Sequence, residues 1–503
     1  MGKSKTSTFC VNIRILTSDG NAKYLDKVMD ACTKIYNTMV KHVRRQLYYM
    51  NQDPSYRKLK DDFFAAKDSA SKRDLRKAIK AVMKAHRIDE SELKKYVNYQ
   101  RHIAFEDSIN NHILQELATI IAGVAENAVF KNTEVHYRNK DNGTNSFQTN
   151  SRTGILFFKD KHIVKINGKT FNLVPIRKSD TYLIEALQHT VKYCRVKREY
   201  HNCKNKYFLQ IVLEGTAPIK YDLGKGKCGI DQGTTTVAYY NKNEAGFFTL
   251  AEGVEKYNKL ISYWSRVNDR RRRMANPAHY DASGRPIKAS EPWIITNGMR
   301  DAKQHLRIVY RLKHAFVTQC MGRDVRRILT QCEAIIKEPM NFAGLAKKAK
   351  GEPELTDKTI TKVNAKGKTK TVKKYKKKTR YGRSIQNRAP GMFNLILERK
   401  CRQLGGIIID VDIFEYRASQ RDHTTNEIIK PSINDRIKTI KGNVVQRDLY
   451  SAFLLYHLGD STTPNYNACK RDFKKFLQKQ EIVIEYIKQH GDSSRNFGVK
   501  NFK

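Results

Sequence analysis

Three acidic residues in this chain stand where acids could act together on a phosphate. The first is Asp231, in the run Gly229-Ile230-Asp231-Gln232-Gly233, which closes the apolar stretch Cys228-Gly229-Ile230 and is followed by Val237-Ala238-Tyr239-Tyr240. An acid at the end of a buried strand, with a glycine two residues on, can present its carboxylate to a metal or a phosphate. The second is Glu338, directly after Ala334-Ile335-Ile336-Lys337. The third is Asp448, at the expected start of a helix whose apolar side carries Leu449, Phe453, Leu454 and Leu458. Two-metal phosphodiester hydrolysis needs several carboxylates converging on ions about 4 Å apart, one activating the attacking water and the other steadying the leaving oxygen. Taken singly, each acid has a plainer role: a turn or helix-cap residue for Asp231, a solvated strand end for Glu338, an N-cap for Asp448.

Only a fold can unite residues so far apart. From about residue 221 the pattern is three short strands (227–231, 237–240, 247–250), a helical stretch over 252–330 broken at Asn276-Pro277, and a fourth strand at 334–336. A fifth strand follows at 406–411. Strands in this order suit a ribonuclease-H-like sheet, in which the first and fourth strands each offer an acid and a late helix offers the third.

The first half reads differently. Phe9, Val11, Ile13 and Ile15 alternate with polar residues as in a half-buried strand. Leu25, Val28, Met29, Cys32, Ile35, Tyr36, Met39, Val40 and Val43 then recur at helical spacing, with breaks near Asp53-Pro54 and Asp89-Glu90. Strand signals return at 154–158, 163–166, 171–176 and 207–213, with Asn167-Gly168 as a type I′ hairpin turn. The expected fold is multidomain α+β: a β-domain over 1–19 and 131–220 carrying a helical insert over 20–130, then an α/β domain over 221–417 and 443–503 interrupted by 418–442. Residues 346–382 are expected to form a solvated loop or hairpin.

Composition sets the partner class. The 503 residues hold 96 Lys plus Arg against 50 Asp plus Glu, a formal charge of +46. The natural counter-charge for such a chain is a nucleic acid. No apolar run long enough to cross a bilayer stands out, and no membrane partner is expected. The nine cysteines lack Cys-x-x-Cys spacing, which argues against a zinc ribbon or a disulfide framework and suits a reducing cytoplasm.

With these residues in view, the C-terminal half resembles the RuvC-type nuclease domain of TnpB proteins, transposon-encoded RNA-guided nucleases related to the compact type V CRISPR effectors. Five stretches carry the resemblance: Gly229 to Gly233; Ile335 to Leu345; the Arg383 to Gly405 helix; Ile407 to Asp412 with Ala418-Ser419-Gln420; and Arg447-Asp448. The front half is similar in layout, a wedge β-barrel holding a helical recognition insert. The resemblance implies an RNA-guided DNA endonuclease of the prokaryotic cytoplasm and nucleoid. It implies Asp231, Glu338 and Asp448 as catalytic ligands of two Mg²⁺ ions, with Mn²⁺ as a substitute. It also implies a guide RNA and a target DNA with a short adjacent motif as partners.

The chain departs from the family pattern in two places. The family's four-cysteine ribbon is replaced by Arg421-Asp422-His423-Thr424-Thr425-Asn426-Glu427, so 418–442 is expected to be a substitute without zinc; His423 alone is no zinc site. Asp448 is followed by Leu-Tyr-Ser-Ala rather than the family's x-Asn-Ala-Ala.

Basic and aromatic residues supply the expected nucleic-acid contacts. Arg270, Arg271, Arg272 and Arg273 form one run, and Lys373, Lys374, Lys376, Lys377, Lys378 and Arg380 another. In the helical insert Tyr48, Tyr49, Tyr96 and Tyr99 interleave with Arg44, Arg45, Lys94 and Arg101, which suits base stacking as well as core packing. Other readings share these features. Asp231-Gln-Gly-Thr-Thr also matches a sugar-kinase phosphate loop, and an unguided nuclease or recombinase would need the same three acids. A binding-only regulator would leave the acids structural.

Overall fold

The structure is a computed structural model that describes residues 7–104, 109–138, 143–149, 154–201, 204–346, 355–363, 369–375, 382–432, 435–490 and 497–499. It is mixed α/β and divides into two compact units, Met1–Pro218 and Ile219–Lys503.

The first unit opens with β1 (Thr8–Ile15), whose alternation buries Val11, Ile13 and Ile15. Five helices follow: α1 (Asp19–Gln52), α2 (Pro54–Ala65), α3 (Ser69–Ala85), α4 (Glu90–Ala104) and α5 (Asn111–Lys131). Ser18 caps α1 by accepting from the Asn21 N–H, and the helical stripe from Leu25 to Val43 forms its buried face. Asp53 ends α1 and caps α2, whose first residue is Pro54. By length and composition α5 is apolar enough to cross a bilayer, which the sequence reading had not found. Half of that window is buried within the unit, and it packs on α1 and α4 as a core helix does.

The chain then forms β2 (Ser146–Gln148), β3 (Ile155–Phe158), β4 (Ile163–Ile166), β5 (Lys169–Asn172), α6 (Thr181–Ala186), β6 (Val191–His201) and β7 (Lys204–Glu214). One antiparallel sheet runs β1-β7-β6-β2 and a second runs β3-β4-β5. They meet where Val174 N–H donates to the Arg14 carbonyl and Leu16 N–H to the Asn172 carbonyl. Asn167 and Gly168 both have positive φ, as a type I′ turn requires. The eleven-residue strand β6 was missing from the sequence reading. Only Cys194 and Val196 of it are buried, and its second half, Lys197 to His201, is polar and half-buried, so no two-residue apolar period marks it.

The second unit is built on one five-stranded sheet. Its strands are β8 (Lys227–Gln232), β9 (Thr236–Asn241), β10 (Ala245–Thr249), β11 (Ala334–Lys337) and, later, β14 (Ile407–Asp410). The order is β10-β9-β8-β11-β14; the first three are antiparallel, and β8, β11 and β14 are parallel. Helices α7 (Glu255–Ala275) and α8 (Asn297–Leu329) join β10 to β11. Between β11 and β14 lie α9 (Phe342–Ala346), a hairpin of β12 (Leu355–Val363) and β13 (Thr369–Tyr375), α10 (Gly382–Arg388) and α11 (Pro390–Gln403). A second hairpin, β15 (Ile437–Ile440) and β16 (Asn443–Gln446), leads into α12 (Arg447–Tyr456) and α13 (Tyr466–His490).

Strand alternation splits the core into two faces. Cys228, Ile230 and Ile335 pack with residues of α8 and α11; Ala238, Tyr240 and Ile336 pack with α12 and α13. Gly229 and Asp231 therefore face α12, one residue out of phase with Ile230.

Candidate active site

The site is assembled by register. Lys337 pairs with Ile230 across β11 and β8, so the next residue, Glu338, falls beside Asp231 at the strand ends. Lys337 turns to the other face, where its ammonium lies 2.8 Å from Asp410 and 3.5 Å from Glu398.

The third acid arrives on α12. Gly229 lets that helix lie directly on β8: a Cβ there would stand 2.1 Å from the Ala452 carbonyl oxygen and 2.4 Å from the Tyr456 nitrogen. Close approach, rather than backbone conformation, requires this glycine. The helix is capped by Gln446, whose Oε1 accepts from the Leu449 N–H at 2.7 Å, so Gln446 and not Asp448 is the N-cap. Asp448 sits in the first turn, where the helix dipole favours a negative charge.

Electrostatics tie the three acids together. Burial pushes the Asp231 carboxyl well above its usual range, and the negative charges of Asp448 and Glu338 push it further. The Arg447 guanidinium and the Ser451 hydroxyl oppose that rise. Burial also raises Glu338, against the Ala418 N–H that donates to its Oε1 at 2.8 Å. Asp448 is held by two guanidiniums: Arg436 donates to Oδ2 at 3.0 Å and Arg447 to Oδ1 at 3.1 Å. The acids are thus within electrostatic reach of one another. Yet among the described residues no three His, Cys, Asp or Glu side chains gather tightly enough to ligate one ion as they stand. Carboxylate oxygens are the donors a hard divalent cation prefers, so the donor set fits Mg²⁺ in kind.

Comparison with known proteins adds a loose likeness. Thirty chains of solved structures match. A Cas12f1–guide RNA–target DNA complex is 11% identical with a TM-score of 0.43, over 89% of this chain and 98% of that one. A CRISPR-Cas12f ternary complex is 11% identical with a TM-score of 0.29, over 90% and 100%. A Cas12i–CRISPR RNA–DNA complex is 8% identical with a TM-score of 0.25, over 92% and 65%. No family model and no curated protein matches.

Of the basic run on α7, two members serve the protein itself. Arg271 donates to the Gly298 carbonyl and lies 3.3 Å from Asp301; Arg272 stacks over Trp293 at 4.5 Å. They fasten α7 to α8 and to the segment between them. Arg270 and Arg273 are exposed. In the first unit Tyr48, Tyr49 and Tyr99 are exposed and Arg44 lies over Tyr137. Arg45 is exposed. Tyr96 instead stacks on His42 at 4.4 Å, and Lys94 pairs with Glu90. Tyr96 is packing rather than a free base platform. Lys373 and Lys374 lie in β13, while Lys376, Lys377, Lys378 and Arg380 lie outside the described residues.

In the segment expected to replace the zinc ribbon, Arg421 is the organising residue. Its guanidinium donates to the Tyr416 and Glu415 carbonyls, to Asn426 and to the Tyr466 hydroxyl. His423 is buried against Tyr450 and Phe473, and burial lowers its pKa to about 4, so it is neutral. Sequence reasoning missed Arg436, Ser451 and Arg421. Ser451 alone had a visible signal, lying three residues after Asp448 and so on the same helix face.

Proposed function

We propose that the second unit is a metal-dependent nuclease domain of the RuvC type, and that the chain is an RNA-guided DNA endonuclease related to TnpB and the compact type V effectors. One observation carries the reading: three acids distant in sequence stand within electrostatic reach of one another, two at neighbouring strand ends and one in the first turn of α12, and the charge of two of them raises the carboxyl of the third. The strand order β10-β9-β8-β11-β14, antiparallel then parallel, supports a ribonuclease-H-like sheet. RNA guidance rests on the sequence resemblance and on the +46 charge. Unit 1 would then serve as the wedge domain with its helical recognition insert, and the adjacent motif would be read by the protein while base pairing reads the target.

Asp231, Glu338 and Asp448 would hold Mg²⁺, which when bound supplies the charge that activates water and steadies the leaving oxygen. The chain's own residues do the rest. The Ala418 N–H orients Glu338, and the Ser451 hydroxyl, which donates to the Arg447 carbonyl, lies beside Asp231. Lys337 fixes the end of β11 from behind through Asp410 and Glu398. A single site of this kind cuts the two DNA strands in turn.

The test is to purify the chain from its native locus, sequence any bound RNA, and challenge the complex with a DNA library matched to that RNA. Cleavage by wild type, lost in Asp231→Ala, is the expected result. Cleavage that needs no RNA would leave the nuclease and remove the guide. An Asp231→Ala protein as active as wild type would remove the nuclease reading itself.

A further inference from the structure

Both oxygens that Asp448 would offer a cation already accept from a guanidinium. Arg436 holds Oδ2 and Arg447 holds Oδ1. The two arginines are not equivalent. Arg447 is the neighbour of Asp448, its side chain is 13% exposed, and it also donates to the Ser432 carbonyl. Arg436 comes from the far side of the β15–β16 hairpin and its side chain is 34% exposed. Its stem is fixed: its carbonyl accepts from the Arg447 N–H at 2.9 Å, and a Cβ on Gly498 would stand 2.3 Å from its own Cβ. A fixed stem with a solvent-reachable tip can swing away without unfolding its surroundings.

We propose that Arg436 is a built-in counter-ion for Asp448 that a divalent cation must displace. The proposal rests on the metal-dependent reading above. A guanidinium and a divalent cation drawn to the same carboxylate repel each other at contact distance, so each weakens the other's hold on it. The Arg436–Asp448 bond therefore competes with cation binding and holds the site in a low-affinity state. This accounts for acids that feel one another's charge yet do not gather around an ion.

A consequence concerns the substrate. Once displaced, the Arg436 guanidinium stands at the edge of the acid cluster with its charge unmatched, and a phosphodiester is its natural partner. A nucleic-acid phosphate that engages Arg436 lowers the cost of freeing Asp448, so polyphosphate and cation promote each other's binding. By linkage the two effects are equal in size.

The experiment is calorimetric titration of Mg²⁺ into the full chain at fixed ionic strength. The variants are Arg436→Gln, Arg436→Lys and, as a control that removes one exposed charge elsewhere on the β15–β16 hairpin, Lys441→Gln. Arg436→Gln should bind Mg²⁺ about tenfold more tightly, the scale of one charge-assisted hydrogen bond lost from the competing state. Lys441→Gln should match wild type. Arg436→Lys, which keeps the charge and should fold where glutamine does not, should fall between. In wild type, adding a single-stranded DNA oligonucleotide should tighten Mg²⁺, and in Arg436→Gln that gain should shrink. Equal Mg²⁺ affinity in wild type and both Arg436 variants overturns the proposal and leaves the metal reading standing. A gain in Lys441→Gln as large as in Arg436→Gln reduces the effect to net charge and also overturns it. No Mg²⁺ binding by wild type or by any variant overturns the metal reading and the proposal with it.

Discussion

A carboxylate enclosed beside two others lowers its free energy in one of two ways: it takes up a proton or it meets a cation. Asp231 is in that position, raised by burial and by Asp448 and Glu338. The folded chain therefore keeps the Asp231 proton above pH 3.8, the ordinary value at which the unfolded chain gives it up. Between that value and the higher folded one, the native state binds more protons, so this group's contribution to stability falls as pH rises. Asp231→Asn removes the penalty. The variant should melt higher than metal-free wild type, with an advantage that grows from about pH 4 towards neutrality, where each 1 kcal/mol is worth roughly 2–4 °C. Mg²⁺ should raise the wild-type melting temperature and leave Asp231→Asn nearly unmoved, and the variant should not cleave. Thermal melts across pH, with and without Mg²⁺, check all of this; a variant less stable than wild type at neutral pH would show that Asp231 is a structural anchor instead.

Helix α12 must lie against β8 for the third acid to arrive, and Gly229 sets the distance. Because the clash of an added Cβ is with the backbone at Ala452 and Tyr456, no side-chain rotation relieves it. Gly229→Ala should destabilise the second unit by roughly 3 kcal/mol, the upper range for overpacking. It should also lower cleavage by about 10²-fold in the fraction that stays folded, since a 1 Å misplacement costs that much. Denaturant melts and single-turnover cleavage at low temperature separate the two effects; unchanged cleavage would show that α12 does not position the site. The strand ends carrying Asp231 and Glu338 were legible because short apolar runs stop at them. The helix carrying Asp448 was legible from its apolar side, but its cap was not, since Gln446 works through an ordinary amide that sequence does not distinguish. Arg436 was illegible for a different reason: its bond to Asp448 spans a hairpin, and no local periodicity links residues 12 apart. Strand β6 was hidden by its polar, half-buried second half, and the role of Arg271 by the run of identical neighbours around it.

At the scale of the whole molecule, a formal charge of +46 makes attraction to nucleic acid certain in sign but says nothing of which cations do the binding. The arginine run on α7 separates the two questions. Arg270 and Arg273 are exposed and free to meet phosphates, whereas Arg271 and Arg272 are spent on Gly298, Asp301 and Trp293. Each phosphate contact contributes about 0.9 to the slope of log affinity against log salt on duplex nucleic acid. Replacing Arg270 and Arg273 by Gln should flatten that slope by up to about 1.8 and weaken binding by a similar factor on every sequence, with no loss of thermal stability. Replacing Arg271 by Gln should do the reverse, lowering the melting temperature while changing the slope little. Filter-binding isotherms at several salt concentrations beside thermal melts distinguish the cases. If the Arg271 variant flattened the slope as much as the double variant, the internal bonds of Arg271 would have to break on binding, and the α7–α8 pair would be a moving part of the interface rather than its rigid support.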